Sequence, residues 1–303
     1  MGFIGSLFKC GGKSGKKLIE ASKSGGAKTV KSLLAASADT NARDKHYWTA
    51  LMHASWHGHV GVTELLLNHG AEVNATDRDG WTALMRASWH GHTEVAELLL
   101  NHGAEVNVGE KHGWTALMRA SGHGRIGVAE LLLNKGAEVN ARDKHGWTAL
   151  MHASGEGRTG VAGLLLNHGA EVNATDKDGW TALMRASWHG HTQVAELLLN
   201  QGGEVNVRNN TGGTALMRAS EKRHSETVAL LLNQGAEVNA RDEHGWTALM
   251  RASEKGHFRV TVMLLNQGAE VNVKDNTGGT ALLRASGNRH AMVAELLKRH
   301  GAS

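Results

Sequence analysis

The sequence Asp77–Val108 reads DRDGWTALMRASWHGHTEVAELLLNHGAEVNV, and it decides the fold because its pattern recurs along the chain. The triplet Thr-Ala-Leu starts at eight positions that are each 33 residues apart, namely Thr49, Thr82, Thr115, Thr148, Thr181, Thr214, Thr247 and Thr280. An Ala-Ser pair keeps the same spacing from Ala54 to Ala285. Ala21 and Leu33 hold the register ahead of the first triplet, so a partial unit precedes eight full ones. Self-similarity at such a period is the signature of a repeat protein.

Within one unit the sequence predicts a turn, a helix, a second turn and a second helix. Residues 77–80 have the composition of a turn, and Thr82 is the predicted N-cap of a short helix from Ala83 to about His90. Thr93 opens a second helix with an apolar stripe, and Gly103 stands where a left-handed C-cap is expected. Neither helix buries its stripe alone, but stacked units bury it against their neighbours. The predicted fold class is therefore an all-α solenoid of stacked helix-turn-helix units with projecting turns.

These residues resemble the ankyrin repeat, a 33-residue unit with a Thr-Pro-Leu-His-x-Ala signature. The matching residues here are Thr82-Ala83-Leu84-Met85-Arg86-Ala87, followed by Gly91-His92 and Leu98-Leu99-Leu100. Methionine replaces the family histidine, and alanine replaces the proline, which agrees with the absence of proline from the whole chain. The resemblance covers about residues 16–303. It implies a non-enzymatic scaffold that contacts a protein partner through a concave surface of turn tips and first helices.

The same register predicts where the array begins and ends. We expect a flexible basic arm over residues 1–15 and a repeat array over residues 16–303. Within the array, residues 16–43 form the predicted N-terminal cap, 44–275 the internal repeats and 276–303 the C-terminal cap. Ser32 and Lys298 stand in columns that hold leucine elsewhere, as expected of terminal units with no neighbour on one side. We therefore expect the array to be complete.

Tryptophan, arginine and histidine occupy columns that the fold itself leaves free. Six tryptophans precede the threonine column, three end the first helix, and arginine or histidine follows the methionine column. Tryptophan and arginine are enriched at interface hot spots. We predict that these columns bind an acidic, extended protein segment through Trp48, His53, Trp56, Trp81, Arg86, Trp89, His90, Trp114, Arg119, Trp147, His152, Trp180, Arg185, Trp188, His189, Arg218, Trp246, Arg251 and Arg284.

A structural alternative stays open for the same columns. Each tryptophan could pack across its own turn, and each arginine could pair with an acidic neighbour such as Asp77 or Asp176. The two interpretations are compatible in part. Nucleic acid is disfavoured as a partner, because residues 1–31 hold seven lysines and one glutamate, which leaves 26 basic and 28 acidic groups in the rest of the chain. The array is therefore not basic, although the formal net charge is +4.

The amino-terminal arm carries a possible lipidation signal. Met1–Ser6 matches the N-myristoylation pattern at Gly2, and Cys10 is close enough to accept a palmitate. One acyl chain binds membranes only marginally, but a second chain or the lysines of the arm would secure it. The predicted location is the cytoplasm, at the cytoplasmic face of a membrane if the arm is acylated. The alternative is an arm that docks on a protein through its apolar residues Phe3, Ile4, Leu7 and Phe8.

The sequence predicts no catalytic site, no metal site and no cofactor. Serine, histidine and aspartate recur as repeat columns, whereas a catalytic constellation is a single distinct site. The histidines of His57-Gly58-His59 are predicted to point to different helical faces, and the second one matches the Gly-His signature. Besides a binding scaffold, two functions remain open: a structural component of a larger assembly such as the cytoskeleton, and a bacterial effector that binds host proteins. The oligomeric state is left open.

Overall fold

The computed structural model describes residues 12–303, and all regular secondary structure in that range is helical. The described residues fall into two compact units, the first ending at Lys144 and the second spanning His145–Ser303. The first unit contains α1 (Lys13–Lys23), α2 (Ala27–Ala35), α3 (Ala50–His57), α4 (Val60–Asn68), α5 (Ala83–His90), α6 (Thr93–Asn101), α7 (Ala116–Gly122) and α8 (Ile126–Asn134). Within this unit the odd-numbered helices stack in one row and the even-numbered helices in a second row, as expected of a helix-pair solenoid.

The second unit repeats this arrangement with ten helices. They are α9 (Ala149–Gly155), α10 (Thr159–Asn167), α11 (Ala182–His189), α12 (Thr192–Asn200), α13 (Ala215–Glu221), α14 (Ser225–Asn233), α15 (Ala248–Glu254), α16 (Phe258–Asn266), α17 (Ala281–Gly287) and α18 (Ala291–Arg299). The predicted all-α solenoid class is confirmed. Within residues 12–303, no helix has both the length and the apolar character needed to cross a membrane.

Local sequence signals set the helix ends. Thr82 caps α5, because its side-chain oxygen accepts a hydrogen bond from the Met85 N–H at 3.3 Å. Gly91 ends the helix in the left-handed conformation with φ +85°, which a side chain would disfavour. The second helix then begins at Thr93 and stops at Asn101, two residues before the left-handed Gly103. These boundaries confirm the predicted turn and helix signals.

The core runs between the two helix rows and between neighbouring repeats. Leu84, Met85 and Leu99 are at most 1% exposed, and the next repeat supplies the cover of Met85. The last repeat has no such cover, and Leu283 in the methionine column is 59% exposed. Ser32 and Lys298, the predicted cap residues, are also exposed. The first helix begins at Lys13, three residues before the predicted start of the array.

Candidate partner-binding surface

In most repeats one aspartate holds both the turn and the first helix. Asp77 Oδ1 accepts hydrogen bonds from the backbone N–H groups of Asp79 and Trp81, at 2.8 and 3.0 Å. Its second oxygen, Oδ2, accepts a hydrogen bond from the Arg86 guanidinium. The two side chains are only 3% and 8% exposed, so the ion pair lies inside the repeat. Burial lowers the pKa of Arg86 to about 10, and Asp77 opposes that shift.

In other repeats too, the second oxygen of the turn aspartate pairs with the arginine or histidine of the first helix. Arg251 donates to Asp242 Oδ2 at 2.6 Å, and His53 pairs with Asp44 Oδ2 at 2.9 Å. Two further pairs are Arg185 with Asp176 and Arg284 with Asp275. Burial alone would raise the pKa of Asp275, but hydrogen bonds from Arg284, from Thr277 and from the Gly279 N–H hold it well below its usual range. At these positions the aspartate of the same repeat therefore neutralises the charge of the column arginine.

Glutamate replaces the turn aspartate in one repeat, and the pair becomes looser. Glu110 Oε1 accepts from the backbone N–H groups of His112 and Trp114, as the aspartates do. Arg119 Nη2 lies 3.6 Å from that oxygen, which is too long for a hydrogen bond. The other oxygen, Oε2, is buried without a hydrogen-bond partner. The additional methylene of glutamate therefore leaves the carboxylate beyond hydrogen-bond distance of the arginine, whereas aspartate places it within that distance.

Arginines and tryptophans of neighbouring repeats alternate in a stack, which we call the tryptophan–arginine ladder. In the first unit Arg86 lies 3.2 Å above the Trp48 ring and 5.5 Å from Trp81. Arg119 lies between Trp81 and Trp114, at 4.1 and 4.0 Å. Such cation–π contacts contribute about 2 kcal/mol each when desolvated. The ladder therefore joins successive repeats along the column that was predicted to face a partner.

The second unit continues the pattern with gaps. Arg185 lies between Trp147 and Trp180, at 3.8 and 4.5 Å. Arg251 and Arg284 both stack on Trp246, at 4.7 and 4.4 Å. The threonine column is preceded by glycine instead of tryptophan in two repeats, at Gly213 and Gly279.

The three tryptophans at the ends of first helices form a second layer on the ladder. Trp56 lies 5.5 Å from Trp48 in its own repeat and 4.1 Å, edge-on, from His90 of the next repeat. Trp89 likewise approaches His123 at 3.8 Å, and Lys222 lies 4.0 Å from the Trp188 ring. These indoles therefore also link consecutive repeats.

The predicted site residues are brought together, but mostly by contacts within the array. All nine tryptophans are half-buried, Arg86, Arg119, His53 and His152 are buried, and the other four arginines of the column are half-buried. His90 is half-buried and His189 exposed. The structural alternative, in which arginines pair with Asp77 and Asp176, is confirmed. Partner contact by these residues stays a prediction, and the lipidation residues Gly2 and Cys10 lie outside the described residues.

Paired histidines lie close together, which differs from the prediction. The rings of His57 and His59 stack at 5.7 Å, because left-handed Gly58 turns the chain between them. His59 also hydrogen-bonds the carbonyl oxygen of Lys23 in the preceding repeat, at 3.1 Å. Burial and the neighbouring His59 lower the pKa of His57. Within residues 12–303, no group of three or more His, Cys, Asp or Glu side chains is placed to hold a metal ion.

A row of exposed positive charge lies at the turn tips, and the site prediction missed it. A cation recurs every 33 residues at Lys45, Arg78, Lys111 and Lys144 in the first unit, and all four are exposed. We call these four residues the tip row. Lys111 Nζ approaches Asp79 Oδ1 at 2.6 Å in an exposed pair, and Arg78 lies 4.4 Å from the Tyr47 ring. The 33-residue register alone could have identified this row.

Comparison with protein families gives a match along nearly the whole chain. A family model described as ankyrin repeats, three copies, matches residues 18–110, 106–176, 140–209, 161–242, 201–275 and 241–303. Comparison with curated proteins gives no match. Ankyrin repeats generally mediate protein–protein interaction, and proteins built from them are typically non-enzymatic interaction scaffolds. With its stacked helix pairs, its threonine-capped first helices and this match, the chain belongs to the ankyrin repeat family.

Proposed function

We propose that the protein is a non-enzymatic binding scaffold that receives an acidic, extended protein segment. The observation that supports this is the tip row, in which four exposed cations share one register in the first unit. The equivalent positions of the second unit hold Lys177, Asn210, Glu243 and Asn276, so only one of these four residues is a cation. Opposite charges across an interface steer encounter and fix register. An acidic segment would therefore lie along the first unit.

The arginine column contributes less charge to this surface than its composition suggests. Arg86 is buried, and its carboxylate partner Asp77 lies in the same repeat. Burying a charge costs free energy unless it is paired, so exchanging Asp77 for a carboxylate of a partner gains little. Lys45 and Lys144 are exposed, and Lys111 would give up only its exposed pair with Asp79, which contributes little to stability. The half-buried tryptophans that border the turns, such as Trp48 and Trp81, would add apolar contact area.

Carbodiimide cross-linking tests this proposal directly, because it joins lysine amines to carboxylates that are in contact. The probe is a hexaglutamate peptide, and the cross-linked lysines are identified by mass spectrometry. We expect amide bonds at Lys45, Lys111 and Lys144, and few at the matched exposed lysines Lys28 and Lys31 on α2. The yield should fall with salt, since exposed charges are screened over about 10 Å at 0.1 M ionic strength. Equal labelling of α2 and the tip row would contradict the proposal.

We further propose that the arm holds this scaffold at the cytoplasmic face of a membrane. The support is the match of residues 1–6 to the N-myristoylation pattern at Gly2, together with Cys10 and the lysines that follow. Intact mass spectrometry of the native protein tests it. A mass increase of one myristoyl group that is lost in Gly2→Ala is expected, and an unmodified Gly2 would contradict the acylation.

A further inference from the structure

One repeat lacks the carboxylate that pairs with its column arginine. Asn209 stands where other repeats have aspartate or glutamate. Its Oδ1 accepts from the Gly213 N–H at 2.7 Å and from the Thr211 N–H at 3.2 Å, so the turn is held as in other repeats. The second atom of the group is an amide nitrogen, which donates hydrogen bonds and cannot accept one from arginine. Asn209 therefore keeps the turn but leaves the arginine of its repeat without the usual acceptor.

Arg218 is the arginine that this change affects. Its side chain is 13% exposed, and within residues 12–303 its guanidinium makes no hydrogen bond. The nearest carboxylate oxygen, Glu221 Oε2, lies 3.8 Å from Nη1 and is equally far from Arg251, which already has Asp242. A guanidinium carries five N–H donors, and buried polar groups are normally hydrogen-bonded. Arg218 thus differs from the five other arginines of the column, each of which faces a turn carboxylate.

The ladder is interrupted at the same place. Arg218 stacks on Trp180 at 4.7 Å and lies 6.0 Å from Trp188, but Gly213 supplies no indole on its other side. Arg86, Arg119 and Arg185 each lie between two indoles. Gly279 interrupts the ladder too, yet Arg284 of that repeat keeps its Asp275. Among the eight full repeats, only that of Arg218 lacks both the acid and the tryptophan.

We propose that Arg218 anchors a carboxylate of a protein segment bound to the second unit, from an acidic residue that is next to an aromatic one. The array itself displays the chemistry of the ligand, since aspartate and tryptophan fill these two positions in complete repeats. The partner carboxylate would accept hydrogen bonds from the Arg218 guanidinium, as Oδ2 does in repeats with aspartate, and its aromatic neighbour would stack on the guanidinium face that Gly213 leaves without an indole. Lys222, which is exposed beside Trp188, adds a second cation at the entrance. This inference rests on the proposed scaffold function and specifies a second contact point, separate from the tip row.

Binding of a short peptide to matched variants tests the anchor. The probe is a fluorescein-labelled tetrapeptide of alternating tyrosine and glutamate, followed by fluorescence anisotropy, with a tyrosine–glutamine peptide as neutral control. Extended, it spans about 13 Å, so it reports one anchor and not a whole groove. Asn209→Asp restores the internal carboxylate and should weaken binding about tenfold, the effect of losing one charge-assisted hydrogen bond. Asn210→Asp adds the same charge one residue away, at an exposed position, and should leave binding unchanged.

A second pair of variants tests the aromatic part. Gly213→Trp should weaken binding, because its indole competes with the tyrosine and its Cβ, 2.5 Å from Arg218 Nη2, moves the guanidinium. Gly279→Trp, whose Cβ meets Asp275 and Arg284 instead, should not. Equal effects of Asn209→Asp and Asn210→Asp, or no binding by the wild type, would overturn the anchor. Neither result affects lysine cross-linking in the tip row, so failure of the anchor and failure of the scaffold proposal are distinguishable.

Discussion

Replacing Asp77 with asparagine separates the two functions of the turn aspartate, which are to hold the turn and to pair with Arg86. The amide keeps one oxygen for the N–H groups of Asp79 and Trp81 but removes the acceptor of Arg86. With 3% and 8% of the side chains exposed, water cannot replace that acceptor unless Arg86 unpacks from Trp48. Removing one partner of a buried pair costs about 3–5 kcal/mol. We expect a loss near 3 kcal/mol, because the stacking on Trp48 remains.

Urea denaturation followed by far-UV circular dichroism measures this loss. Asp79→Asn is the matched control, since it makes the same chemical change two residues away in an exposed pair with Lys111. Its denaturation midpoint should equal that of the wild type, because exposed pairs contribute little to stability. If Asp77→Asn unfolds at the same urea concentration as Asp79→Asn, the internal ion pair does not stabilise the array and the reasoning is refuted.

Three further perturbations follow from the same geometry. Ala83→Pro at the first position of α5 should raise the melting temperature by roughly 1–4 °C in calorimetry, because proline restricts the unfolded chain and fits that position; a lower value would contradict it. Glu110→Asp should bring its carboxylate to hydrogen-bond distance of Arg119 and raise the unfolding free energy by about 1 kcal/mol in urea, and a decrease would show that the longer side chain is the better fit. The free energy of unfolding should decrease as the pH drops below about 6.5, the pKa of histidine in the unfolded chain, because the folded state binds protons less readily. The decrease should end once the pH lies below the pKa values of the histidines in the folded state. An unchanged urea midpoint between pH 7.5 and 5.5 would contradict this, since burial lowers the pKa of His53, His57, His90, His189 and His257.

The repeat register made the fold predictable in detail. Thr82, Gly91 and Gly103 act locally, through a cap and two left-handed turns, so their roles follow from residue type and position. Stacking of the units follows from the apolar stripes of both helices. The start of α1 at Lys13 was harder to predict, because the partial first repeat has no Thr-Ala-Leu triplet to mark its boundary.

The candidate site was predictable as a set of residues but not as a set of contacts. The repeat register indicates that tryptophan and arginine share one face, yet it does not say whether they contact a partner or one another. The ladder depends on distances between repeats, such as the 3.2 Å between Arg86 and the Trp48 ring. Asn209 is visible as a departure from the register, but its consequence for Arg218 depends on which side-chain atom faces the guanidinium.

Turn carboxylates face the arginines of the column from within, with Arg218 as the one arginine that has none, and side-chain NMR tests this most directly. The measurement is a titration of protein labelled with nitrogen-15 arginine by the tyrosine–glutamate tetrapeptide, with Nε–Hε signals assigned through single Arg→Lys variants. We predict that the Arg218 signal shifts on titration while the Arg86 signal stays fixed. Equal shifts of both signals, or an Arg218 signal that does not move, would contradict the account.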